Sequence, residues 1–174
     1  PDTTYVDSGS VEIDGYSIKN SDKKAHGKQT MTQVLEESLN TGSIFAKEQI
    51  GNKLFFDYVQ KFGFGKPTGV EVKETAGNLD NLRANIFVNY DTASFGQGIT
   101  VTPLQMLSAF GAIANGGKMM KPFLVQTRIT GIGETIQTKP TMEGQIISED
   151  TASKVGGMLV GVVENGHGKR AGIP

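Results

Sequence analysis

Glycine sets the limits on this chain: 23 of its 174 residues are Gly, against roughly 7% in an average protein. They fall at the ends of patterned segments and follow no repeat, so the chain reads as many short elements joined by tight turns. A chain of this length can hide well over half its surface, and one domain over residues 1–174 is expected. The 17 basic and 18 acidic residues leave a net charge of -1. Being spread along the chain, they provide no electrostatic footprint for nucleic acid or an anionic membrane. With no cysteine, disulfides, thiolate catalysis and most structural zinc sites are excluded. No apolar run approaches the roughly 20 residues of a membrane span. Pro1 opens the chain without an initiator Met, so the start reads as a cut or processed end.

Local patterns divide the chain further. Val11 to Ile18 alternates around Asp14-Gly15, a strong hairpin signal. Thr30 with Gln33 three residues on is a capping box, predicting a helix with Met31, Val34 and Leu35 on its apolar side. Asn40-Thr41-Gly42 is read as its interruption, after which Ile44, Phe45 and Ile50 continue as a short helix ending at Gly51. Asn52 can cap a third helix, with Leu54, Phe55, Tyr58, Val59 and Phe62 at helical spacing and Gly63 at its end. Val70 to Val72 is β-like, and Thr75 to Asn85 shows no period. Thr102-Pro103 opens another helix, whose buried stripe is expected at Leu104, Leu107, Gly111 and Ala114. Phe123–Thr130 and Glu134–Thr138 flank Gly131-Ile132-Gly133 as a second hairpin. Ser148 caps a last helix, with Ala152, Val155, Leu159 and Val162 inward, and Asn165 to Gly168 closes it. Helices mixed with hairpins, without regular βαβ alternation, imply α+β.

On the helix opened by Thr30, a turn of about 100° per residue sets Ser38 between Val34 and Leu35, which aims its hydroxyl inward. A serine there can simply bond back to the carbonyl four residues earlier. It can share a cleft with Asn40 only if the chain leaves the helix between them, and Asn40-Thr41-Gly42 is expected to provide that break.

Ser38-Leu39-Asn40, within Val34 to Gly42, resembles the S-x-N motif of the penicillin-binding protein transpeptidases, class B. Ala93-Ser94-Phe95-Gly96-Gln97-Gly98-Ile99-Thr100-Val101-Thr102-Pro103-Leu104-Gln105-Met106 is similar to a characteristic stretch of the same family. Ala112 to Gly117 and Gly168 to Pro174 also match, in the family's order, so the resemblance covers essentially the whole chain. It implies the penicillin-binding protein and serine β-lactamase fold, in which S-x-x-K, S-x-N and K-T-G converge on one cleft. A serine hydroxyl needs a base to take its proton, and acyl transfer needs donors for the oxyanion. By resemblance, Ser38 relays a proton between the motif lysine and the leaving group, and Asn40 holds the substrate amide and that lysine.

The resemblance further implies D,D-transpeptidase acyl transfer on peptidoglycan stem peptides and acylation by β-lactams, without metal or organic cofactor. It implies an N-terminal membrane anchor, an extracytoplasmic catalytic domain and cell-wall synthesis partners through the parent protein. The alternatives are a non-catalytic β-lactam sensor or binding module, and a serine β-lactamase on the same fold. Ser21-Asp22-Lys23-Lys24 matches S-x-x-K literally. It lies in a polar turn too close to Ser38 and is read as accidental. No K-T-G occurs. The chain is therefore expected to be an internal piece of the domain, inactive alone, lacking the nucleophile helix and the K-T-G strand, and prone to aggregate through uncovered apolar faces. His26 and His167 are read as exposed loop residues without acidic company. Phe95 to Gly98 lacks the Lys and Ser/Thr of a P-loop and is read as backbone packing.

Overall fold

The computed structural model describes residues 1–173. Pro174, the last residue of the Gly168–Pro174 match, lies outside them. The elements run β1 (Thr4–Asp7), β2 (Ser10–Ile13), β3 (Tyr16–Lys19), β4 (Gly27–Thr30), α1 (Met31–Glu36), α2 (Asn40–Lys61), α3 (Asp80–Arg83), α4 (Phe87–Ser94) and α5 (Pro103–Ala114). They continue as β5 (Lys118–Met120), β6 (Thr127–Ile129), β7 (Thr135–Gln137), β8 (Met142–Gln145), α6 (Glu149–Glu164) and a 3₁₀ turn at Lys169–Ala171. Among the described residues the strands form four antiparallel pairs, β1–β4, β2–β3, β5–β8 and β6–β7. The fold is α+β, as the alternation of hairpins and helices implies.

Two compact units emerge. The first holds Pro1–Asp57, Asp80–Ile99 and the residues from Ser153 on; the second holds Tyr58–Leu79 and Thr100–Ala152.

In the first unit, the β2–β3 hairpin turns through Asp14 and Gly15, both at positive φ (49° and 81°), as a two-residue Asp-Gly loop requires. β1 pairs with β4 in the register Thr4↔Thr30 to Asp7↔Gly27. This ladder has no local signature, because β4 comes from the polar Gly27-Lys28-Gln29-Thr30. Thr30 then caps α1 with the predicted box: its hydroxyl accepts from Gln33 N, and Gln33 Oε1 accepts from Thr30 N.

The helix break differs from expectation. α1 stops at Glu36, and α2 begins at Asn40, so Asn40, Thr41 and Gly42 open a helix instead of interrupting one. Gly42 serves close packing: a Cβ there would lie 2.7 Å from Val34 Cγ1 and 2.9 Å from the Tyr5 hydroxyl. The small core beneath consists of Tyr5, Val34 and Leu39, with Met31 and Phe45 against it. Tyr5 and Phe45 stack with ring centroids 5.4 Å apart. The predicted break at Gly51 is present, at φ 75° and ψ 164°. Asn52 does not cap the helical segment after it; its side-chain oxygen accepts from Lys47 Nζ at 3.3 Å. Lys47 and Asp91 form an ion pair, both buried.

In the second unit, Thr102 and Gln105 cap α5 with a second capping box. Its buried stripe is Gln105, Ala109 and Ala112, not Leu104, Leu107, Gly111 and Ala114; Leu107 is 68% exposed. α5 is apolar nearly all round, so periodicity does not choose a face. The choice falls to Gln105, which is buried because it has partners. Its Nε2 donates to Lys66 O (2.7 Å) and Gly63 O (3.3 Å), and its Oε1 accepts from Thr102 N (2.8 Å). Val70 to Val72 forms no strand; Glu71 instead accepts from Leu124 N at 2.9 Å. The β6–β7 hairpin spans the predicted Gly131-Ile132-Gly133 turn, whereas β5 and β8 pair across more than twenty residues, beyond the reach of any local pattern. Ser148 Oγ accepts from Thr151 N at 3.1 Å and caps α6 as expected. Along α6, Ala152 is buried and Val155, Leu159 and Val162 are half-buried.

Candidate active site

Ser38 occupies the residue after the α1 cap, in the left-handed region at φ 54°. Leu39 N donates to Val34 O at 2.9 Å and Ser38 N to Leu35 O at 3.3 Å. This is the Schellman pairing, which satisfies the last carbonyls of a helix and usually has glycine at the left-handed position. The hydrophobic contact that accompanies it is here too: Leu39, 2% exposed, belongs to the cluster with Val34. Leu39 therefore goes inward, and Ser38 is turned outward, exposed, with no hydrogen bond to its hydroxyl among the described residues. The expected inward-facing serine on a continuous helix is corrected, because that helix ends two residues before it.

A serine in left-handed backbone costs roughly 1–2 kcal/mol that glycine would avoid. Strain of this kind persists where the surroundings over-determine it, and it concentrates at functional positions.

Asn40, half-buried at the first position of α2, donates from Nδ2 to Lys19 O at the end of β3, 2.9 Å away. Its Oδ1 and second N–H are unbonded among the described residues. The chain is non-helical at Leu39, between the two motif residues.

Next to them, Thr41 and Asp7 are buried. Asp7 Oδ1 accepts from Gly9 N (2.9 Å) and Thr41 Oγ1 (2.8 Å), and its Oδ2 accepts from Asn20 Nδ2 (2.8 Å) and His26 N (2.9 Å). With its one proton given to Asp7, the Thr41 hydroxyl accepts from the Tyr5 hydroxyl at 3.2 Å. Asn20 Oδ1 accepts from Thr41 N at 3.3 Å. Burial pushes the Asp7 carboxyl up, but the bonds from Gly9, Thr41 and His26 outweigh it and hold the group below the usual carboxylate range. Sequence reasoning missed Asp7, Asn20 and Thr41, since no local pattern links residues up to 34 positions apart.

A groove of about 370 Å³ lies against this turn, lined by Asn20, Ser21, Asp22, Glu37, Leu39 and His167. Ser21 sits in an exposed turn, with Lys23 left-handed at φ 60° and no helix present. A nucleophile helix of S-x-x-K type has no counterpart there. Both histidines do have acidic company, contrary to expectation. His26 Nε2 lies 2.9 Å from Asp22 Oδ2, and His167 Nε2 lies 3.9 Å from Glu37 Oε2. His26 is half-buried, whereas His167 is exposed as read. The turn after α6 rests on the end of α1: His167 N donates to Glu36 O at 3.2 Å and Asn165 Nδ2 to Glu36 Oε1 at 3.3 Å. Among the described residues no group of three or more His, Asp or Glu gathers as metal ligands, and no helix is long and apolar enough to cross a membrane.

Comparison with known proteins identifies the family. The penicillin binding protein transpeptidase domain model matches residues 1–174. Stage V sporulation protein D of Bacillus subtilis is 34% identical over 170 residues, covering 96% of this chain and 26% of that protein. Penicillin-binding protein PbpB of Mycobacterium tuberculosis is 29% identical over 185 residues, covering all of this chain and 27% of the relative. Penicillin binding protein 3 from Mycobacterium tuberculosis, solved in complex with aztreonam, superposes with a TM-score of 0.90 at 29% identity, covering 100% of this chain and 41% of that one. The chain thus spans about a quarter of the length of these curated relatives. On the match of its whole length to the family model, and on its agreement in fold with that structure, the chain belongs to the penicillin binding protein transpeptidase family.

Proposed function

We propose that this chain is part of one transpeptidase domain of class B, which cross-links peptidoglycan stem peptides by acyl transfer through a serine and is acylated by β-lactams. The observation that carries the reading is the S-x-N turn. Ser38 is kept in a strained left-handed conformation with a hydroxyl unbonded among the described residues, two residues from a carboxamide with an unbonded acceptor and donor, next to a groove lined by its neighbours Glu37 and Leu39. A hydroxyl so exposed can pass a proton, and a carboxamide can accept from one peptide N–H while donating to a carbonyl. The nucleophile and its lysine, and the K-T-G strand, are contributed by segments other than residues 1–174, so this chain alone does not turn over substrate. Relatives named as peptidoglycan D,D-transpeptidases support the same substrate class. The parent is proposed to be membrane-anchored, with this domain on the extracytoplasmic side and other cell-wall synthesis proteins as its partners.

The test is covalent labelling of the full-length protein by a fluorescent penicillin. A lasting adduct that unlabelled penicillin competes away is the expected result. Absence of label on folded protein refutes the reading, and rapid multiple turnover would instead make it a β-lactamase.

A further inference from the structure

The Asp7 carboxylate takes no part in the chemistry proposed above, yet it bonds the chain neighbours of both residues in the bond that orients the Asn40 carboxamide. The Asn40 carboxamide is anchored by one bond, from Nδ2 to Lys19 O at 2.9 Å. Residue 20 follows Lys19 and residue 41 follows Asn40, and Asp7 accepts from both, from Asn20 Nδ2 and Thr41 Oγ1, each at 2.8 Å. The ring closes directly where Thr41 N donates to Asn20 Oδ1 at 3.3 Å. The bond that sets the Asn40 side chain is therefore bracketed by two bonds to one buried anion, Asp7 being 2% exposed. Gly9 N and His26 N complete the set of four donors on this carboxylate.

Four donors around one side chain is a demand that only an ionised carboxylate meets, with its roughly four lone-pair sites and no proton. An isosteric asparagine puts an amide donor against Asn20 Nδ2 and His26 N in one flip, and against Gly9 N in the other, where only the Thr41 hydroxyl can turn to accept. With the Lys19 carbonyl and Asn40 in register, the second N–H and Oδ1 of Asn40 remain for a ligand. That pair matches a peptide amide, which offers one carbonyl and one N–H.

We propose that Asp7 is a positioning residue for the S-x-N turn, holding the Asn40 carboxamide in register for a substrate amide through Asn20, Thr41 and the Lys19 carbonyl. This rests on the transpeptidase reading and adds to it a residue 33 positions before Asn40 in the chain.

The experiment measures the second-order rate of acylation by a fluorescent penicillin in the full-length protein. The variants are Asp7→Asn, Asn40→Ala and the double, with urea unfolding of each as a control for folding. Misplacing a positioned group costs up to about 100-fold, and Asp7→Asn is expected to slow acylation by about 10- to 100-fold. Because Asp7 acts through Asn40, the double variant should be no slower than Asn40→Ala alone, within about twofold. Two contributions that were independent would instead multiply. Multiplied losses, or an unchanged rate in Asp7→Asn, overturn the proposal while labelling of the wild type leaves the transpeptidase reading intact. A wild type that takes no label removes both. Should Asp7→Asn not fold, Thr41→Val deletes a single donor to Asp7, and the same comparison with Asn40→Ala decides, multiplied losses again being the refuting result.

Discussion

Replacing Ser38 by glycine should make the protein more stable and less active. The side chain is exposed, and its hydroxyl makes no bond among the described residues, so its removal sacrifices no packing and no hydrogen bond. What changes is backbone strain. At φ 54° the Cβ costs roughly 1–2 kcal/mol, and the wider freedom of glycine in the unfolded chain returns about 0.4–1 kcal/mol of that. The net gain is about 0.5–1 kcal/mol. Ser38→Ala keeps the Cβ and the strain, and should lie within about 0.5 kcal/mol of wild type. Urea unfolding followed by far-UV circular dichroism on the full-length protein measures the three together. Penicillin acylation of the same variants should fall in both glycine and alanine forms, the trade of stability against function expected where a site stores strain. A glycine variant no more stable than the alanine variant would refute the strain argument. One that gained stability while acylating at the wild-type rate would refute the role assigned to the hydroxyl.

Other consequences are equally direct. A Cβ at Gly166 would lie 2.7 Å from the Cα of Glu36, against fixed backbone; Gly166→Ala should push the turn after α6 off the end of α1, lowering the unfolding midpoint and slowing acylation. Lys47→Met leaves buried Asp91 without its counter-ion and should cost about 3–5 kcal/mol, whereas Lys47→Met with Asp91→Leu should recover most of the loss, since an apolar pair avoids the desolvation of both charges. Asp7 has its folded pKa lowered, so it binds its proton less readily folded than unfolded. Its contribution is present above the ordinary carboxylate pKa and is lost as pH falls through the lowered value. Between about pH 5 and pH 2 the urea midpoint of the wild type should therefore drop more than that of Asp7→Asn; parallel curves would count against the carboxylate as the cause.

Much of this architecture was legible in the sequence, and the legible parts share a property. The capping box at Thr30, the Thr102-Pro103 helix start, the Ser148 cap, the Asp14-Gly15 hairpin and the break at Gly51 each depend on residues within about four positions of one another, where the chain's own geometry decides. The motif Ser38-Leu39-Asn40 was likewise visible, because chemistry requires those residue types at that spacing. Tertiary structure decided the rest. Where α1 ends depends on Leu39 closing over Val34 in a core shared with Tyr5. Which side of α5 is buried depends on the carbonyls of Gly63 and Lys66 waiting for Gln105. Gly42 looks like a helix breaker in sequence and is a contact in space. The Asp7 carboxylate gathers donors from residues 9, 20, 26 and 41, and no one-dimensional pattern records such a meeting. A buried polar group is stable only once all its partners arrive, and they arrive only when the chain has folded.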